Sequence, residues 1–131
     1  MYNDSREFVK NSILTATPAA RLMMLLDRLE VDIKRAEQGF ATGNIPVRNA
    51  ALLHAQDIVL NLRDTLRVDL WPGAAQLKTI YSFIYSEFVQ SNIYADQKRF
   101  DWASRLLMEI VEAWRGANKA LMEKGTVGAS V

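Results

Sequence analysis

The stretch that most constrains this chain is Thr15-Ala16-Thr17-Pro18 together with the apolar run it launches, from Leu22 to Phe40. Thr17 can accept a free backbone N–H at a helix start, and Pro18 at the first helical position gives up an N–H that had no partner anyway. From there apolar residues recur at 22, 25, 26, 29, 33, 36 and 40, the three-four spacing of one helical stripe. Such a stripe must be buried against neighbours, so this helix is expected to be central. Gly39 and Gly43 supply C-cap geometry for its end. Off the stripe, Arg28, Asp32, Lys34 and Arg35 read as a solvated face, with Arg28/Asp32 and Glu30/Lys34 at ion-pair spacing.

Asn44 and Pro46 are a second start signal, and Ala51, Ala55, Ile58, Leu62 and Leu66 form a second stripe that predicts a helix to about Asp69. Trp71-Pro72-Gly73 breaks the chain. A third helix is predicted from about Ala74 to Ala95, carrying Leu77, Ile80, Tyr81, Ile84, Phe88 and Asn92. After the polar turn Asp96-Gln97-Lys98-Arg99, a fourth carries Ala103, Leu106, Leu107, Ile110, Trp114, Ala117 and Leu121. No stretch alternates with period two, so no sheet is expected. Four helices of about 22 residues joined by short turns place sequence neighbours antiparallel. The fold class is therefore all-α: an antiparallel up-down four-helix bundle over residues 17–123, a short N-terminal helical arm over 1–16 and a flexible tail over 124–131.

Bulk properties narrow the function. With 131 residues the chain fits one domain, and 16 basic against 15 acidic residues leave a net charge of +1, which gives no general attraction for nucleic acid. There is no cysteine, hence no disulfide and no thiolate chemistry. No secretory leader and no apolar run near the ~20 residues of a membrane span is visible, which makes a cytosolic protein without membrane insertion the expectation. A di-iron site in a helical bundle needs Glu-x-x-His pairs, yet the single histidine, His54, has Ala51 three residues before it. No metal, no cofactor and no catalytic set is expected, and His54 reads as a partly buried structural residue. Trp114-Arg115-Gly116 matches the Trp-x-Gly of small secreted helical-hairpin proteins, but there the motif lies in a mid-chain turn, and here it lies within a late helix.

Asn92 falls on the apolar stripe of the third helix, four residues after Phe88. Its amide either fixes register against a neighbouring helix or bonds a partner's backbone. Trp71 and Trp114 read first as packing residues. A second set of apolar residues lies beside or opposite the stripes, including Met23, Leu52, Val59, Leu60, Phe83, Tyr85, Val89, Tyr94, Leu107, Met108, Val111 and Met122. They either widen the core or form grooves for an apolar partner, for which methionine suits an adaptable surface.

The Thr-Ala-Thr-Pro start, followed by Leu22, Met24, Leu25 and Asp27 in fixed positions, resembles the flagellin export chaperones of the FliS family. Phe8 stands where that family usually has tyrosine, Leu26 replaces another tyrosine, and Arg28 replaces a small residue. Ala55-Gln56-Asp57-Ile58-Val59, Leu62 through Leu66, Tyr81, Asn92 and Glu112-Ala113-Trp114 are similar to the family's later blocks, while Trp71-Pro72-Gly73 departs from its usual turn. The resemblance implies a cytoplasmic export chaperone. Such a protein holds the disordered C-terminal segment of flagellin, prevents its premature polymerisation and delivers it to a component of the flagellar export gate, with the N-terminal arm lying over part of the groove. On that basis Phe8 and Ile13 belong to the arm and its groove, Leu22, Leu25, Leu26, Ile58, Leu62 and Leu66 line or support the binding surface, and Asn92 is a candidate bond to the partner. Ordering about thirty partner residues costs about 30 kcal/mol, so about 1,200 Å² of apolar burial is needed to break even. Only a long wrapped contact reaches that figure. The alternative is a self-associating helical structural or adaptor protein, with a homodimer formed through the second set of apolar residues.

Overall fold

The computed structural model describes residues 17–129, with side chains through Lys124. The expected arm, with Phe8 and Ile13, lies outside the described residues, as do the last two positions of the expected tail. Four helices follow one another: α1 (Pro18–Thr42), α2 (Ile45–Thr65), α3 (Ala74–Ile93) and α4 (Gln97–Ala129), with no strand among the described residues. Each packs against the next, and α4 returns to α1, which closes a four-helix bundle.

The helix ends follow from local chemistry. Thr17 Oγ1 accepts the Ala20 N–H at 3.1 Å to start α1. Gly43, left-handed at φ 66, ends it, and the Asn44 N–H closes onto the Gly39 carbonyl at 2.9 Å. Asn44 then caps α2 by accepting the Val47 N–H at 3.2 Å. One residue between two helices therefore serves both ends of a tight turn. Asp96 Oδ1 accepts the Arg99 N–H in the first turn of α4, after Ala95 has turned the chain with a positive φ of 50.

Two boundaries differ from the sequence reading. α2 stops at Thr65 rather than near Asp69, because Leu66 turns extended and the chain must swing Trp71 onto Trp114, edge to face at 6.3 Å. Gly73 permits that fold-back: a Cβ there would lie 2.5 Å from the Trp71 ring. α4 is longer than its apolar stripe and continues through Ala129, past Gly125 where a flexible tail was expected.

The core takes Leu26, Leu29, Ile33 and Ala36 from α1, Leu52, Ala55, Val59 and Leu62 from α2, Tyr81, Ile84 and Phe88 from α3, and Phe100, Ala103, Leu107 and Val111 from α4. Leu52, Val59 and Val111, placed above beside or opposite the stripes, are fully buried, as is Leu107. Each helix touches two neighbours, so the buried arc is wider than one stripe. At one end Phe40 and Phe88 both pack on Phe100, with ring centroids 5.2 and 5.6 Å apart, which joins α1, α3 and α4.

α1 and α2 approach most closely at Gly39, where a Cβ would meet the Arg48 backbone N and Cα at 2.7 and 2.8 Å. Gly39→Ala must push the two helices apart and is expected to cost about 1–3 kcal/mol in urea unfolding, the usual range for overpacking. At Gly43 nothing lies within 4 Å of the added Cβ, so Gly43→Ala is expected to lose only about 1–2 kcal/mol, from its left-handed backbone. If a structure of Gly39→Ala shows α1 and α2 no further apart at Arg48 than in the parent, the close-approach explanation fails.

Candidate functional site

Three polar clusters hold the bundle in register and define which surface is left over. On the α1/α2 seam Asp32 is only 1 % exposed and its carboxylate is bonded to Nδ1 of His54. This corrects the reading of Asp32 as part of a solvated face paired with Arg28. Its position turns it toward α2, and the histidine, half in solvent, caps it from outside. On the α2/α3 seam the Arg48 guanidinium donates to Asn92 Oδ1 and to the Asn92 carbonyl, both at 3.3 Å, and Asn92 Nδ2 donates to Asn49 Oδ1 at 2.8 Å. The Asn92 amide is thus occupied within the bundle as a register-fixing group. Arg48 also lies 5.3 Å over the Phe40 ring.

On the α1/α4 seam Arg115 reaches Asp27 and Glu30 at 3.0 Å and Glu112 at 2.9 Å. The hydrogen bond from Arg115 holds the Glu30 carboxyl below the usual carboxylate range, and the reciprocal contact with Glu30 raises the guanidinium further above its own. This is the least closely packed of the four seams. An open groove of about 570 Å³ lies along it, lined by the less exposed Ile33, Ser104 and Met108 and by the exposed Glu37, Arg105, Glu109 and Glu112. At the Trp71 end, the Trp114 indole N–H donates to the Tyr81 hydroxyl at 2.9 Å; burial pushes the Tyr81 phenol up, and the bond from Trp114 acts the other way. Trp114 packs against the core, and Trp71 packs edge to face on Trp114 while remaining 39 % exposed.

The sequence-predicted site residues fall into two groups. Leu26, Ile58 and Leu62 belong to the sealed core and could only support a surface from beneath, whereas Leu22, Leu25 and Leu66 are partly buried and pack on that core. The antiparallel register set by Asp32/His54 and Gly39/Arg48 brings the two triplets to the same end of the bundle, the end where Thr17 begins α1. The more accessible apolar side chains lie elsewhere. Phe83 on α3 and Trp102 on α4 form an edge-to-face pair, centroids 5.5 Å apart, while remaining 44 % and 51 % exposed. Leu53 on α2 is 50 % exposed and Tyr94, at the α3/α4 turn, 71 %. Phe83 and Tyr94 were flagged by sequence; Trp102 and Leu53 were not. Position outside the stripes is no sufficient signal, since Leu52, Val59 and Val111 share it and are buried.

A sequence model described as "Flagellar protein FliS" matches residues 1–121. The chain belongs to the FliS family. Among the relatives that FliS resemblance brings in, the flagellar secretion chaperone FliS of Bacillus subtilis is 27% identical over 115 residues, covering 88% of this chain and 86% of the relative. The chaperone of the same name from Vibrio cholerae is 28% identical over 107 residues, 81% of this chain and 79% of the relative. That of Salmonella typhimurium is 27% identical over 111 residues, 82% of this chain and 81% of the relative. FliS is not an enzyme family. Among the described residues no helix is long and apolar enough to cross a membrane, and no group of three or more acidic or histidine side chains is placed to hold a metal ion.

Removing the histidine leaves the Asp32 carboxylate buried with no partner, so His54→Ala is expected to cost about 1–3 kcal/mol by chemical denaturation. The double variant Asp32→Asn/His54→Ala should recover part of that loss. Because the Glu30 carboxyl is depressed, the Arg115 contact stabilises the fold above the ordinary carboxylate range, and that contribution fades as pH falls through the lowered value. Arg115→Ala should accordingly flatten the acid limb of a stability–pH curve, and an unchanged limb would show that the cluster contributes nothing.

Proposed function

We propose that this chain is a cytosolic flagellar export chaperone that binds the disordered C-terminal segment of flagellin, keeps it from polymerising and delivers it to a component of the flagellar export gate. Membership of the FliS family supports the flagellar export role, and the relatives' shared name, flagellar secretion chaperone, points the same way. The observation that carries the binding mode is the distribution of apolar side chains outside a core that is already full. Leu53 faces outward from α2, Phe83 and Trp102 straddle the α3/α4 seam, and Leu121 and Met122 stand on the last turns of α4.

A compact partner could cover one of these positions. An extended chain that wraps the bundle covers all of them, and only such a long contact offsets the ordering cost of a disordered segment, about 1 kcal/mol per residue. In this reading the Phe83/Trp102 pair is an aromatic anchor, preorganised by its own edge-to-face contact. Leu22, Leu25 and Leu66 form the rim of an apolar corner at the Thr17 end, with Leu26, Ile58 and Leu62 as its floor, and Phe8 and Ile13 belong to an arm that shares this corner. Asn92 contributes by holding α2 and α3 in place rather than by a direct bond.

Titration calorimetry with a flagellin C-terminal peptide is expected to show saturable binding with a negative heat-capacity change. Phe83→Ala/Trp102→Ala should weaken it by at least about tenfold, or ~1.4 kcal/mol, while leaving the helical circular-dichroism signal unchanged. Absence of binding to the intact protein would remove the chaperone reading. Sedimentation of the free protein separates the alternative, since a self-associating structural protein dissociates on dilution and a client-binding monomer does not.

A further inference from the structure

The outward side of α1 carries a pattern that neither the core nor the flagellin-binding reading uses. Arg21, Arg28 and Arg35 recur every seven residues, and Met24 and Val31 stand between them at three- and four-residue steps. All five are exposed, Met24 by 38 % and Val31 by 48 %. Residues seven apart on a helix lie on one face, about 10 Å from each other along the axis. The five therefore make a continuous stripe of alternating cation and apolar side chain, bordering the α1/α2 seam on which Asp32 meets His54.

An ordinary solvated helix face pairs its arginines with carboxylates three or four residues away. Here that option is closed. The positions three and four from Arg21, Arg28 and Arg35 are Thr17, Pro18, Met24, Leu25, Val31, Gln38, Gly39 and one carboxylate, Asp32, which is buried and taken by His54. Among the described residues none of the three guanidinium groups makes a hydrogen bond or ion pair. Three guanidinium groups without a carboxylate partner leave an excess of positive charge on this face in a chain whose net charge is only +1.

We propose that this face is a docking surface for an amphipathic helix of a partner protein that carries carboxylates at seven-residue spacing beside apolar residues. Such a helix places its acids against Arg21, Arg28 and Arg35, whose planar forks suit bidentate carboxylate contacts, and buries Met24 and Val31 between them. The alternation of apolar and charged layers fits a packed helix better than a phosphate backbone, which has no use for the two apolar residues. A second copy of this chain is a poor match. Its acids at that spacing are Glu30 and Glu37 on α1, of which Glu30 is held by Arg115, and Asp57 and Asp64 on α2, of which Asp64 is held by Arg63. The proposal stands on α1 alone and does not depend on the flagellin reading.

The test uses the intact protein, isotope-labelled, and a synthetic acidic amphipathic helix of about 20 residues with glutamate every seventh position and leucines between. Saturable binding that weakens with added salt, with amide shifts confined to residues 20–36 and their α2 neighbours, is the expected result. R21E/R28E/R35E should lose at least about tenfold in affinity and gain binding to the same peptide with lysine in place of glutamate. M24S/V31S should weaken the original peptide without the charge swap. The proposal is overturned if the wild type does not bind, if the shifts map to another seam, or if the reversed variant binds as the wild type does. It also falls if free wild-type protein forms a dimer that the reversal dissolves, if duplex DNA competes at the same residues with equal affinity, or if the folded reversed variant loses the flagellin peptide as well.

Discussion

The close contact between Gly39 and the backbone of Arg48 is the constraint on which the rest of the bundle depends. With no side chain at Gly39, α1 and α2 meet backbone to backbone, and the Arg48 guanidinium is carried to a point from which it reaches both the Phe40 ring and the Asn92 amide. Phe40 in turn packs on Phe100, which packs on Phe88. One end of the molecule therefore links all four helices through a single chain of contacts, and the angle and register of α3 and α4 follow from where α2 is seated. At the far end the connection is looser and aromatic: Trp71 on Trp114, and Trp114 bonded to Tyr81.

The seams are closed by different means. α1 and α2 join by close backbone approach and the buried Asp32 carboxylate, and α2 and α3 by the Arg48/Asn92/Asn49 network. α4 meets α1 through the Phe40/Phe100 ring contact at one end and the charges around Arg115 further along. Partly exposed ion pairs contribute little stability compared with burial of side chains, so the Arg115 cluster adds less to this seam than the ring contact does. The open groove beside Met108 is a static sign of the same imbalance.

Tyr81, Phe88, Phe100 and the aliphatic residues around them make the interior, and Phe83, Trp102 and Leu53 stand outside it. Their exposure comes with a well-buried core. α1 shows the same economy in miniature: one arc is core, a second is committed to His54, a third to Arg115, and what remains is the arginine stripe. A helix with four differently occupied faces can organise the core and still present a surface.

The helices and their order were legible in the residue pattern, because the signals involved are local. Thr17-Pro18, Asn44-Pro46 and Gly43 act on groups a few residues away, and the three-four stripes need only the period of the helix. It also placed Leu29, Ile33, Ile84 and Phe88 in the core for the same reason. Tertiary structure alone decided which flanking residues were buried: Leu52 and Val111 went inward, Phe83 and Leu53 outward, and nothing in their local pattern separates them. It likewise decided that α2 ends at Thr65, that Asp32 is buried, and that Asn92 is spent on Arg48. Each of these depends on contacts between residues more than twenty positions apart in sequence or on a turn pulled toward a distant tryptophan, and periodicity along one helix carries no information about what its neighbour presents.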